Sequence, residues 1–224
     1  MHLWNRLVKV LHENKITLRK PESTSLASAT GFNKRSVSDF FENYISVVMK
    51  YKLKPEKIFN VDETGVQTVL KPVKIVSTKG KKQVSLAASA EKGELTTVVG
   101  IINAVGFAVP LVYIFPRIHH PDEYLINAPT SSIALGNHSG WMTSELFLNV
   151  LDHIQRQINC SKESKVLLLL DKYKSHTTVK AINVCRENGI ILLLFPPHTS
   201  HKPQTLDVGV FGPFKTYLSV AFNN

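Results

Sequence analysis

Between residues 33 and 50 the apolar positions are Val37, Phe40, Phe41, Tyr44, Ile45 and Val48, spaced i, i+3, i+4, i+7, i+8 and i+11. That spacing is one stripe of an amphipathic helix. Ser36 with Asp39 three residues on reads as an Asp variant of the capping box, and Lys54-Pro55 breaks the pattern. A shorter helix is expected at Thr24–Thr30, stopped by Gly31. From residue 57 the period changes. Lys57–Val61 and Gln83–Ser89 read as short strands. Thr96–Ala104 and Phe107–Phe115 are apolar and β-branched, with Val105-Gly106 as the turn between them, so an antiparallel meander is predicted. Helical spacing returns at Thr143–Ile158, with Leu146, Phe147, Val150, Leu151, Ile154 and Ile158 on one face and Thr143 or Ser144 as cap. A strand at 165–170, a helix at 177–187 stopped by Gly189 and a strand at 190–195 ended by Pro196-Pro197 follow. Strand–helix–strand is the signature of a parallel pair. Val208–Phe222 reads as a terminal helix. The fold class is therefore α/β: a mixed sheet, antiparallel meander first and parallel strands after, flanked by helices and preceded by a small helical segment.

Composition adds little to this picture, and charge adds more. The 224 residues are 43% hydrophobic and 20% charged, as in ordinary globular domains. Lys and Arg outnumber Asp and Glu by 27 to 17, for a formal charge of +10. Such an excess favours polyanionic partners, nucleic acid first, over plain solubility charge. The two cysteines, Cys160 and Cys185, form no CxxC motif, which suits a reducing compartment. No apolar run approaches the roughly 20 residues of a membrane span. The start, Met1–Arg6, lacks the apolar core of a signal peptide, so the chain reads as intracellular. GxSxG, Walker A and GxGxxG elements are all missing, against hydrolase, P-loop and dinucleotide readings.

Three carboxylates carry the candidate chemistry. Asp62 ends the run Ile58-Phe59-Asn60-Val61, and Asp171 follows four leucines, Leu167–Leu170. A run apolar at every position is a strand buried on both faces, and polar groups past the carboxyl ends of such strands line the ligand crevice. Asp207 lies between Leu206 and Val208. Each also has an ordinary reading: a turn at Asp62, a turn or helix cap at Asp171, an N-cap at Asp207. Three carboxylates that meet repel one another and need a divalent cation, and hard oxygen ligands select Mg2+ or Mn2+. Two such ions about 4 Å apart activate a water or 3′-hydroxyl in phosphodiester displacement. Lys71, Lys74, Lys79, Lys81 and Lys82 occur with no acid among them. They are either a solvated hairpin edge or phosphate contacts. His198 and His201, with His176 and Cys185, match no zinc-finger spacing, and the histidines are expected to line the acidic site or a phosphate path.

The segment Phe59-Asn60-Val61-Asp62-Glu63-Thr64-Gly65 resembles the first catalytic segment of the pogo/Tigger/jerky branch of DDE transposases. Leu18–Ala27, Thr30–Asn33, Lys79–Gln83, Ser139–Met142, Phe195–His201 and Leu206–Lys215 are similar to that family too, in order along the chain. The resemblance implies an RNase H-like fold and a metal-dependent DNA strand-cleavage and strand-transfer domain. By motif, Asp62, Asp171 and Asp207 become the catalytic and metal-holding triad, with two Mg2+ or Mn2+ ions. Lys79, Lys81, Lys82, Lys172, His198 and His201 become DNA contacts. DNA is the implied partner, the nucleus the implied location, and a homodimer stays open. Where the family reads Asp-Gly-His this chain has Asp171-Lys172-Tyr173, and where it reads Gln-Pro-Leu-Asp this chain has Gln204-Thr205-Leu206-Asp207. Lys172 either pairs with Asp171 or contacts a phosphate. Relatives carry a helix-turn-helix module ahead of this region. Residues 1–54 are expected to be a connecting helical segment after it, and residues 55–224 the endonuclease domain, shortened beyond Asp207. Two functions are implied: DNA cleavage and transfer, or an inactive, host-retained nuclear DNA- or chromatin-binding protein on the same fold.

Overall fold

A computed structural model of the protein describes residues 33–67, 94–117, 120–196 and 204–223. The expected helix Thr24–Thr30, the strand Gln83–Ser89 and the lysines of 71–82 lie outside them. Helix α1 spans Lys34–Tyr51. Its cap is Asn33, whose side chain accepts the Ser36 N–H at 2.9 Å. The Ser36/Asp39 box is thereby corrected: an Asn already in extended backbone satisfies the free amide first. Phe40 anchors the helix against Phe195, with ring centroids 5.3 Å apart.

Six strands form one sheet: β1 (Ile58–Gln67), β2 (Leu95–Asn103), β3 (Val112–Pro116), β4 (Ile133–Asn137), β5 (Val166–Leu170) and β6 (Ile190–Leu194), in the order β4-β3-β2-β1-β5-β6. β1–β2 and β2–β3 are antiparallel, and β1–β5 and β5–β6 are parallel; the β2–β3 and β5–β6 pairs are those predicted from the sequence, and β1 joins the two halves. β4 is an unpredicted addition, parallel to β3 at the edge. The expected strand Phe107–Phe115 is shorter. Ala108 makes one bridge to Ile102, and continuous pairing begins only at Val112, beyond Pro110, which has no N–H to donate. The predicted turn is present, with Gly106 at φ 91.

Helices α2 (Ser144–Ile158) and α3 (Val179–Glu187) cover one face. Thr143 caps α2 through the Leu146 N–H, and Thr178 caps α3 through the Ala181 N–H. Phe147, Val150, Leu151 and Ile154 join Phe59, Val61, Val99, Ile101, Leu168 and Leu170 in the core. The opposite face of β2 is covered by the last stretch, a π-helical turn at Asp207–Phe211 continuing into α4 (Gly212–Asn223). Phe211 seats over Gly100, where an added Cβ would meet its ring at 3.2 Å. A glycine in mid-strand here marks close approach.

Candidate active site at the carboxyl edge of the parallel strands

Alternation along β1 sorts its motif by face. Val61 belongs to the core on the α2 side, and Glu63 shares its parity. Asn60 and Asp62 point to the other face, toward residues 204–211. The β1–β5 ladder ends at Asn60↔Leu169. Asp62 and Asp171 each lie two residues beyond this last pair, Asp62 within β1 and Asp171 just past the end of β5, so both leave the parallel ladder at the same edge. Asp62 is not at a strand end, however. β1 runs on to Gln67, with Asp62 opposite Gly100, because β2 continues to pair it after β5 has stopped.

Asn60 fastens the third carboxylate to this edge. Its Nδ2 donates to the Leu169 carbonyl at 3.1 Å and to Gln204 Oε1 at 2.5 Å, and its Oδ1 accepts the Leu206 N–H at 3.1 Å. The fully buried Gln204 donates in turn to the Val61 carbonyl at 3.3 Å. The helix has already begun when the chain reaches Asp207: Leu206 is in αR geometry, and Asp207 opens the π-helical turn. The N-cap alternative for Asp207 is thus overturned, since a cap residue needs non-helical backbone ahead of the first turn.

Electrostatics tie the acids together. Burial first, and the Asp207 charge second, push the Asp62 carboxyl up from 3.8 to about 7, and hydrogen bonds from Gln204 and the Glu63 backbone offset this only in part. Its Oδ2 is buried without a hydrogen-bond partner. The Asp207 carboxyl is also raised, by burial and then by the Asp171 charge, with Lys215 opposing. An orphaned carboxylate oxygen beside a second acid is a fit for a hard cation. Among the described residues no three His, Cys, Asp or Glu side chains form a ready ligand cluster.

Asp171 is held from the other side. Its Oδ1 accepts the Tyr173 N–H at 3.2 Å and meets His176 Nδ1 at 3.1 Å. His176 is buried, its Nε2 lies 3.0 Å from Glu63 Oε1, and its ring packs 4.4 Å from that of Phe147. Burial lowers its pKa, but the hydrogen bonds and charges of Asp171 and Glu63 outweigh that and raise it to about 9. His176 is therefore an imidazolium between two carboxylates, with both ring nitrogens donating. The ionic partner of Asp171 is thus His176. Lys172 instead lines a cavity of about 330 Å³ against Ser36, Asp39, Phe40 and Asn43 of α1. Lys79, Lys81, Lys82, His198 and His201 lie outside the described residues. Sequence reasoning singled out none of Asn60, Glu63 and Gln204. The available signal was a polar residue, Asn60, between the apolar Phe59 and Val61.

Residues 92–224 match the family model described as DDE superfamily endonuclease. The chain is 29% identical over 184 residues to a protein named MFS-type transporter clz9 of Cochliobolus lunatus, over 81% of this chain and 20% of that protein. It is 23% identical over 167 residues to the pogo transposable element with KRAB domain of Homo sapiens, over 74% and 27% respectively. It thus spans about a fifth to a quarter of the length of these curated relatives. Among the described residues no helix is long and apolar enough to cross a membrane. Of solved structures, the Mos1 transposase paired-end complex with left transposon end matches with a TM-score of 0.58 at 16% identity, over 96% of this chain and 56% of that one. The Mos1 mariner paired-end complex with Mn gives 0.59 at 16% identity, over 96% and 57%. At such identity the likeness is one of fold, and it matches the RNase H-like sheet expected from the sequence.

Proposed function

The chain belongs to the DDE superfamily endonuclease family, and from that premise we propose that this transposase-derived domain binds DNA and cleaves or joins its phosphodiesters with Mg2+ or Mn2+. Asp62 carries the reading. It is a buried acid with an unpartnered oxygen and a neighbouring charge, in the position where a cation would relieve both. Asp62, Asp171 and Asp207 would hold the metal. A divalent ion so held would supply charge neutralisation at the phosphate and a more acidic water or hydroxyl. The protein's own part is placement. Asp62 gives up a carboxyl proton near neutral pH to become a ligand. Asn60 and Gln204 fix the segment that carries Asp207. Phe211 over Gly100 keeps the adjoining floor apolar.

The net charge of +10 favours the DNA backbone. Lys79, Lys81, Lys82, Lys172, His198 and His201 are the phosphate contacts of this reading, residues 55–224 its endonuclease domain and residues 1–54 the helical lead-in. A nuclear location and a homodimer belong to the same reading. The test is nicking of supercoiled DNA in Mn2+ by the wild-type chain and by Asp171→Ala. Loss of nicking in the variant supports the proposal, and equal background cleavage by both overturns it.

One observation favours a second reading, an inactive DNA- or chromatin-binding protein on the same fold. Asp171 already spends Oδ1 on His176 and Tyr173, and no three-ligand cluster is preformed among the described residues. DNA retained by the wild-type chain without Mn2+-dependent nicking would select it.

A further inference from the structure

Glu63 and His176 lie between the core and the acidic edge, and neither belongs to the carboxylate triad. His176 is 4% exposed, yet it carries two polar nitrogens that need partners. One partner is Glu63, 113 positions away along the chain and on the strand that carries Asp62. The other is Asp171. The Phe147 ring, itself 1% exposed, backs the imidazole and restricts its rotation. The Asp171 Oδ1 accepts the Tyr173 N–H at 3.2 Å and forms the 3.1 Å ion pair with His176 Nδ1, which also lies 3.4 Å from the Asp171 carbonyl oxygen. Two contacts on one carboxylate oxygen restrict the rotation of the group, with Oδ2 on its other side.

Resting on the metal-dependent reading above, we propose that Glu63 and His176 are positioning residues: Glu63 anchors the buried imidazole through Nε2, and the imidazole orients the Asp171 carboxylate through Nδ1 so that Oδ2 is presented to a divalent cation. Asp171 is the one acid of the three that lies past the end of its strand, since β5 stops at Leu170. The Asp62 main chain is fixed by pairing with β2, and its carboxyl is met by Gln204 and the Glu63 backbone N–H. A carboxylate without strand pairing needs a partner to hold its rotamer, and supports of this kind typically change metal affinity by roughly 10- to 100-fold when removed.

The experiment is Mn2+ binding to the full chain, read from the electron paramagnetic resonance signal of free Mn2+, with folding of each variant checked by urea denaturation in EDTA. Asp171→Ala loses the Asp171-dependent binding. His176→Ala weakens Mn2+ binding roughly 10- to 100-fold. The two amide replacements separate positioning from simple packing. In His176→Asn the amide nitrogen takes the place of Nδ1 and can still reach Asp171, whereas in His176→Gln it takes the place of Nε2 and reaches Glu63. Asn is expected to recover most of the affinity and Gln little of it, at comparable stability. Glu63→Gln lowers affinity less than His176→Ala, because an acceptor for Nε2 remains. Recovery by Gln equal to that by Asn overturns the proposal. So does wild-type affinity in His176→Ala while Asp171→Ala loses binding, and that result leaves the metal reading intact. If the wild-type chain and Asp171→Ala bind Mn2+ alike, the metal reading itself fails and the positioning role goes with it.

Discussion

Replacing Asp62 with asparagine should stabilise the metal-free protein while removing its metal site. Burial and the Asp207 charge move the Asp62 carboxyl from 3.8 to about 7. That displacement of about 3 pH units is worth roughly 4 kcal/mol at 1.36 kcal/mol per unit, as an upper limit. The sign follows from proton counting. Between the two values the folded chain keeps a proton that the unfolded chain has lost, so wild-type stability falls as pH rises from about 4 to about 7 and the loss is complete above that. Roughly 2 to 3 kcal/mol of the loss falls between about pH 5 and about pH 8. Asp62→Asn has the same shape and no proton to lose. It sacrifices part of the hydrogen bonding from Gln204 and the Glu63 backbone, so its net advantage at about pH 8 in EDTA is about 1 to 3 kcal/mol, shrinking toward pH 5. Urea denaturation of both proteins at the two pH values measures it. Millimolar Mn2+ should reverse the order, because a ligand at 100 times its Kd adds about 2.7 kcal/mol to the wild type alone. An asparagine variant that is no more stable at pH 8 in EDTA, with a gap that does not change with pH, would refute the argument that Asp62 is a strained, unpaired acid.

Two other substitutions probe the frame around the site. Asn60→Ala leaves the Leu206 N–H and the Gln204 side chain without their partner. It should lower stability by about 2 to 4 kcal/mol and speed amide exchange over residues 204–211, as unsatisfied buried groups cost about 1 to 3 kcal/mol each. Unchanged exchange in that segment would remove Asn60 from the role given to it. Gly189→Ala should be among the most damaging small changes in the chain. Gly189 has φ +69, and an added Cβ would lie 1.8 Å from the Ser161 carbonyl oxygen. A loss of about 4 kcal/mol or more, or failure to fold, is expected in denaturation, and a loss under about 1 kcal/mol would contradict this backbone packing.

The parts of the fold that were legible in the sequence are those where burial is one-sided or complete. In α2 the predicted face holds Phe147, Val150, Leu151 and Ile154, none more than 1% exposed. In β5 a run of leucines marks a strand between two paired neighbours. β4 was not legible, because Ile133–Asn137 is five residues, half-exposed, with a Gly and an Asn, and only its pairing to β3 makes it a strand. The continuation of β1 past Asp62 was hidden for a similar reason. Asp62, Glu63 and Gly65 have turn chemistry, and pairing to β2 overrides it. Among the site residues, His176 was expected to line the acidic site or a phosphate path, and its partners could not be read. They are set by the meeting of β1 and the end of β5, which local pattern does not encode.

The four residues Asn60-Val61-Asp62-Glu63 act as a hub because a strand alternates. Asn60 and Asp62 share one face, so the residue that presents a carboxylate is flanked, one pleat away, by the residue that grips the segment carrying Asp207. Val61 and Glu63 share the other face, so the same strand enters the core and, through His176, grips Asp171. Both outlying acids are thus referenced to one rigid element, paired on both sides up to Asn60 and on one side beyond it. A period of two also means that moving this segment by one residue would exchange the faces. Asp62 would then enter the core, and both grips would be lost together. Independent placement of three acids would tolerate such a slip at one of them, whereas this arrangement makes the geometry of all three a property of the β1–β2 register.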